Sequence, residues 1–322
     1  MKKPKVVVIG GGSGLSVLLK GLKQFPVDLT AIVTVADSGG SSGILKREFN
    51  IPAPGDLRNV MVALSDVEPL IEEVFQHRFK EESSIGGHPL GNLLITAMIE
   101  ITGDIGKAIE KLRKLFNIKA KILPATLEKI EIIAEKENGE IRLGEDNIPV
   151  VGEKIKKIYY EGKVNTPEQN LKEIEKADMI ILGIGSLYTS IIPNLICPDM
   201  QEALKRSNAK KIYICNAMQQ PGETEGYSVS DHVASINNHV GYNMVEKVIF
   251  DSREIPEKIL KRYWAENSDI VKLDIEKIEK LGAQVVEANI IQVDKNKKIR
   301  HNPYKLAATI YSQIDNLEDF YS

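Results

Sequence analysis

Cysteine is nearly missing: the 322 residues include only Cys197 and Cys215. The two are too far apart for a metal-binding pair, and each sits among apolar residues, so buried thiols in a reducing compartment are expected. Long apolar runs are missing too, since none approaches the roughly 18 residues that a membrane-spanning helix needs. The chain passes from two lysines straight into a strand pattern without a signal-peptide cleavage site, which makes a cytoplasmic protein the expectation and sets membranes aside as partners. An excess of one charge is also absent. The 42 Lys and Arg face 45 Asp and Glu for a net charge of −3, with the signs interspersed. The one-sided basic footprint of a nucleic-acid binder is therefore lacking. No internal repeat or low-complexity linker breaks the chain. What remains is a sequence with 43% apolar residues, enough for one large α/β unit with or without a smaller appendage.

The stretch KVVVI at 5–9 is β-branched and apolar on both faces, the pattern of a buried parallel strand. Leu15, Leu18, Leu19 and Leu22 then follow at helical spacing. The same alternation recurs around LTAIVTVA (29–36), ADMIILGIG (177–185), KKIYICNA (210–217) and VEKVIF (245–250). Strands alternating with helices predict a mostly parallel sheet covered by helices on both faces. Residues 119–165 depart from this rhythm: LEKIEIIAEKENGEIRL alternates, with Asn138-Gly139 between two strand-like runs, the signal of a two-residue hairpin turn. This stretch reads as a small antiparallel subdomain inserted in a core formed by residues 1–118 and 166–322.

Gly10, Gly11, Gly12 and Gly14 lie between the first strand and the first helix. A helix start aims free N–H groups and a positive dipole end at whatever binds there, and glycine lets a ligand approach the backbone. The dinucleotide fingerprint is incomplete, because Leu15 and Ser16 stand where a third small residue is required, so a nicotinamide-dependent oxidoreductase rests on little. The Walker pattern fails outright for want of its Lys and Ser/Thr pair. Two further loops rich in small residues follow later strands, ADSGGSSG (36–43) and GIGSLYTS (183–190). In open α/β sheets the carboxyl edge is where ligands bind, so three such loops converging there predict a diphosphate pocket. Main-chain donors with Ser13, Ser41, Ser42, Ser186 and Ser190 would hold the anion without a lysine. Asp37 has three readings: a ribose-hydroxyl acceptor, an Asx-turn residue closing the bend at Gly39, or a magnesium ligand.

Polar clusters lie outside these loops. PGDLRN (54–59) puts Asp56, Arg58 and Asn59 at the start of an apolar helix, where Asp56 alone would be an N-cap. GGHPLGN (86–92) places His88 and Asn92 before a second apolar helix, with His88 either a phosphate donor, an acid/base or structural. Asn216 and Gln219 leave a buried strand where they can read a base or sugar, in a segment that leads to a helix capped by Ser230. Asp231 and His232 are adjacent, but no nucleophile elbow accompanies them, and His232 with His239 lacks a third ligand, so neither a hydrolase triad nor a zinc site is expected. Tyr263 offers a ring for a uracil, against the alternative of a core aromatic, and Arg300 a planar fork for a diphosphate.

Together, VVVIGGGSGLSVLLKGLK, AIVTVADSGGSSGILKREF, PGDLRNVMVALSD, FQHRF, GHPLGNLLI, GSLYTSIIPNL, CNAMQQPGET, SDHV and IRHNPYKLA resemble the YvcK-type gluconeogenesis factors, relatives of the phospholactate transferase CofD. The resemblance spans nearly the whole chain in consistent order. It implies a Rossmann-like core, a role in cell shape and in flux to amino-sugar and wall precursors, and binding of UDP-N-acetylglucosamine with no cofactor required. By similarity the Gly10 to Leu15 loop, Asp37, the loop Ser38, Gly39, Gly40, Ser41, Ser42, and the loop Gly185, Ser186, Tyr188, Thr189, Ser190 line the nucleotide cleft. Tyr263 and Arg300 fall in segments associated with the sugar-nucleotide pocket. One departure is Ile184, where the family loop carries proline. The expectation is a regulator acting on an amino-sugar pathway enzyme, in a homo-oligomer. The alternative is a transferase that moves a phosphoryl-linked group with magnesium and Asp37 or Asp56 assisting.

Overall fold

The computed structural model describes residues 3–66 and 69–314. Seven strands form the main sheet: β1 (Lys5–Gly10), β2 (Asp28–Val33) and β3 (Lys121–Pro124), then β7 (Met179–Leu182), β8 (Lys210–Ile214), β9 (Lys247–Phe250) and β10 (Gln284–Glu287). Between them an insertion carries β4 (Ile132–Lys136), β5 (Ile141–Leu143) and β6 (Ile155–Tyr160), and the hairpin β11 (Ile291–Val293) and β12 (Ile299–His301) follows the sheet. The sheet order is β10-β9-β8-β7-β1-β2-β3, with every neighbouring pair parallel.

The sequence explains the central position of β1. Val6, Val7, Val8 and Ile9 are all at most 1% exposed. A strand apolar on both faces is stable only with neighbours in the sheet and helices above and below. At roughly 1.5–3 kcal/mol for each fully buried aliphatic side chain, these four anchor the core. Three helices matter for the site: α1 (Gly12–Leu22), α2 (Gly40–Glu48) and α3 (Gly55–Leu64). Among the described residues, no helix is long and apolar enough to cross a membrane. Cys197 and Cys215 are free and buried.

Three details differ from expectation. Lys121–Pro124 pairs with β2 in the main sheet, so the antiparallel strands occupy only Ile132 to Tyr160 of the 119–165 stretch. Its short apolar run reads equally as a sheet edge. The hairpin turn at Asn138-Gly139 spans Glu137 to Gly139: Gly139 takes φ +87°, and the Asn138 carboxamide oxygen accepts from the Glu140 N–H at 2.9 Å. Asn138 keeps a negative φ, so the mirror-image two-residue turn does not form. The helix Val229–Val240 is capped by Ser228 in a reciprocal box with Asp231, not by Ser230, whose hydroxyl goes to Asp274 at 2.6 Å.

Candidate functional site

From β1 the chain steps outward to β2 and β3, then returns to the other side of β1 with β7 and steps outward again to β10. Loops leaving the carboxyl ends of β1 and β7 therefore diverge, and the crevice between them is where such sheets bind ligands. A cleft of about 800 Å³ opens there. It is lined by Gly12, Ser13 and Gly14 from the first loop and by Gly185, Ser186, Thr189 and Ser190 from the loop after β7. Asn216, Gln219 and Glu223 from the segment after β8, with Tyr263 and Arg300, complete the polar lining. The two loops meet at backbone contact. A Cβ on Gly185 would lie 2.9 Å from the Gly11 carbonyl oxygen, and one on Gly14 would lie 2.9 Å from Ile184 Cγ2. Any side chain at either position would push the loops apart.

The C-terminal hairpin supplies the cation. Arg300 is exposed on β12, and its guanidinium makes no protein hydrogen bond among the described residues. Tyr263 is half-buried, in a helix (Glu257–Trp264) with no buried residue, so it is not a core aromatic. Its hydroxyl accepts from the Ile299 N–H at 2.7 Å, which fixes the ring beside Arg300. His301 also lines the cleft, and burial pushes its imidazole down to about 4, so it is neutral near pH 7. Asn216 donates to the Gly185 carbonyl at 2.8 Å, and the Gln219 side chain accepts from the Gly226 N–H at 2.9 Å. Both side chains brace the loops as well as facing the cleft.

Several expected residues lie elsewhere. Gly10 ends β1, Gly11 packs against Thr34 and Asp56, and Leu15 is fully buried on the apolar face of α1, so none of the three lines the cleft. Tyr188 is 2% exposed, and its hydroxyl pairs with Tyr227 at 2.7 Å, which makes it a core residue. Asp37, Ser38, Gly39, Gly40, Ser41 and Ser42 do not line the cleft either, nor do Asp56, Arg58, Asn59, His88 and Asn92. The reason is the sheet order: the loop after β2 lies on the far side of β1 from β7.

These residues form a second polar cluster. Ser41 Oγ is 2.8 Å from His88 Nδ1 and accepts from Asn92 at 3.1 Å. Arg58 donates to Asn59 at 2.7 Å, and burial and the neighbouring Arg78 charge lower its pKa. Asp56 lies in the first turn of α3, yet it caps α1: its Oδ2 accepts from the Gly12 N–H at 2.8 Å. One of the N–H groups expected to grip an anion is thus already satisfied by a carboxylate. Burial raises Asp56 to about 6, against the pull of that hydrogen bond, with Asp37 adding to the rise. Asp37 makes the Asx turn, accepting from the Gly39 N–H at 2.9 Å. The ribose reading would put Asp37 in the cleft, which it does not line.

Two residues of the cleft, Glu145 and Glu223, carry no sequence signal or a weak one. Glu145, from the insertion, lines the cleft, and its carboxyl lies with those of Asp37 and Asp146 within 4.8 Å of one another. Burial, and then the hydrogen bond with Asp146, push Glu145 upward. An all-oxygen set of this kind suits a hard divalent cation such as magnesium. Glu223 is 6% exposed in the QPGET segment and accepts from Ser186 Oγ and the Tyr188 N–H. The signal for Glu223 was a carboxylate in a polar strand exit; Glu145 had none, since its alternating neighbourhood pointed away from the sheet edge.

Comparison with known proteins places this geometry. The family described as "2-phospho-L-lactate transferase CofD" matches residues 6–291. A protein from Bacillus subtilis named "Gluconeogenesis factor" is 47% identical over 315 residues, covering 96% of this chain and 98% of its own. A "Gluconeogenesis factor" from Halalkalibacterium halodurans is 47% identical over 311 residues, covering 96% of each chain. A crystal structure of a Bacillus halodurans protein superposes with a TM-score of 0.94 at 46% identity, covering 96% of this chain and 100% of that one. A second, described as a member of the UPF0052 family, gives 0.93 at 46% identity, covering 96% and 99%.

Proposed function

The chain belongs to the CofD family and is similar over nearly its whole length to gluconeogenesis factors, and on that premise we propose that it is a regulatory protein that binds a nucleotide sugar, UDP-N-acetylglucosamine. The observation that carries this reading is the cleft at the switch point, where an exposed guanidinium without a hydrogen bond among the described residues and a tethered aromatic ring face a glycine turn. Arg300 and the Ser13–Gly14 side of that turn suit a diphosphate, Arg by its planar fork and the turn by its main-chain donors. Tyr263 supplies a π-face for the base. A volume near 800 Å³ lies in the range of small-molecule sites.

Regulation follows if the free and liganded forms differ in affinity for a partner, here an enzyme of amino-sugar synthesis in the cytoplasm, and the consequence would be control of wall-precursor flux and cell shape. Calorimetric titration with UDP-N-acetylglucosamine tests the reading. Saturable binding at one site per chain, much weakened by Arg300→Ala, is expected; no heat from folded protein would end it.

A second reading is favoured by the Asp37, Glu145 and Asp146 carboxylates beside the cleft. Held there, magnesium would neutralise charge on a donor diphosphate, and the chain would position an acceptor for group transfer. Incubation of a nucleotide-diphosphate donor and candidate acceptors with magnesium separates the two. Product supports transfer; binding without product leaves the regulator.

A further inference from the structure

Ser186 and Thr189 look like donors for a phosphate, but their protons are already committed. Ser186 Oγ donates to the Glu223 carboxylate, and Thr189 Oγ1 lies 2.7 Å from Ser186 Oγ and 3.4 Å from Glu223 Oε1. The Tyr188 N–H adds a third donor to the same carboxylate at 3.2 Å. A hydroxyl has one proton and two lone pairs. With the Ser186 proton on Glu223 and the Thr189 proton donated to Ser186 Oγ at 2.7 Å, the two side chains offer the cleft lone pairs only.

Glu223 is held in place from behind. Gly222 packs so closely on the insertion that a Cβ would lie 2.4 Å from the Val150 nitrogen, and Glu225 accepts from the Gly152 N–H at 2.8 Å. The buried Lys136 ammonium adds a favourable charge. Ser190 Oγ, by contrast, has no hydrogen bond among the described residues and lies beside Gly12.

We propose that Glu223 sets the polarity of the Ser186 and Thr189 wall, so that this wall recognises a hydroxyl or amide N–H of the ligand and excludes phosphate oxygens. Resting on the nucleotide-sugar reading, the assignment puts the sugar, with its several donors, against Ser186 and Thr189. The diphosphate then lies towards Gly14, Ser190 and Arg300. Glu223 acts through the two hydroxyls and is a positioning residue for specificity.

The test is a pair of calorimetric affinities, for UDP and for UDP-N-acetylglucosamine, in the unmodified protein, Glu223→Gln and Ser186→Ala. In Glu223→Gln the amide oxygen serves the Tyr188 N–H, while the amide nitrogen donates to the hydroxyls and turns their protons into the cleft. The advantage of the nucleotide sugar over UDP should fall about tenfold, the worth of one good hydrogen bond, while UDP binds as tightly as before or more tightly. Ser186→Ala should shrink the same advantage and decides the matter if Glu223→Gln melts early. An unchanged advantage in a folded variant, or an equal loss for both ligands, overturns the assignment and leaves the nucleotide-sugar reading standing. Absence of binding to the unmodified protein removes that reading and this assignment with it.

Discussion

The two polar clusters at the carboxyl edge of the sheet, one between the β1 and β7 loops and one behind the β2 loop, are built from similar residues and differ in what satisfies them. In the cleft, the Arg300 and Ser190 side chains have no protein hydrogen-bond partner among the described residues, and the loop backbones are in contact. Behind β2 most polar groups are answered within the protein: Asp56 caps α1, Asp37 closes its own turn, and Ser41, bonded by Asn92, pairs with His88, while Arg58 Nε and Asn92 Oδ1 are buried without a partner among the described residues. Buried polar groups are costly unless paired, so the paired residues of that cluster act as support, and the unpaired side chains of the exposed rim are where a ligand gains most. The contrast separates residues that bind from residues that keep the binding loops in place.

The largest effect expected from breaking this contrast is at Arg300. Arg300→Ala should weaken UDP-N-acetylglucosamine binding by about 30- to 100-fold, the worth of a charge-assisted pair, with the melting temperature unchanged because the side chain is exposed and has no hydrogen bond among the described residues. Gly185→Ala should cost about 2–3 kcal/mol in denaturant unfolding, because its methyl would meet the Gly11 carbonyl oxygen at 2.9 Å and Ser190 Cβ at 3.0 Å, and it should weaken the ligand as the loops part.

Asp56 gives an effect of similar size and opposite sign. Its folded value of about 6 lies above the ordinary 3.8, so the folded state holds the proton more readily, and stability is lost as pH rises from about 4 through 6. Asp56→Asn keeps an oxygen for the Gly12 N–H and should be about 2 kcal/mol more stable than the unmodified protein at pH 7.5, with the difference vanishing below pH 4. Equal pH profiles would show that Asp56 is not desolvated. His232 runs the other way: burial pushes it down to about 4, below the usual 6.5, so its neutral form adds stability that is lost as pH falls between those values. Its ring signals in an NMR titration should move only near pH 4. The smallest effect expected is His88→Ala, which should change ligand affinity by no more than about twofold.

Much of this architecture is legible in the sequence. The β-branched, doubly apolar runs of β1, β2, β7, β8 and β9 mark a parallel sheet because nothing else buries both faces of a strand, and the loops after β1 and β7 lie at its carboxyl edge as that pattern requires. β10 and the β11–β12 hairpin carry little signal, since QVVE and IQV are short and flanked by charged residues. Composition alone does not reveal sheet order, so the loop after β2 reads like the other two: ADSGGSSG looks as able to hold an anion as GIGSLYTS. Only the placement of β1 between β2 and β7 separates them. Glu223 and Glu145 escaped for a related reason. Each gains its role from a contact across the chain, Glu223 with Ser186 and Glu145 with Asp37 and Asp146.

A crystal structure with UDP-N-acetylglucosamine bound tests the central claim most directly. The account predicts the diphosphate between the Gly12–Gly14 turn and Arg300, with the base on Tyr263 and the sugar against Ser186 and Thr189. A ligand seated instead on Asp37, Arg58 and His88, behind β2, would contradict it.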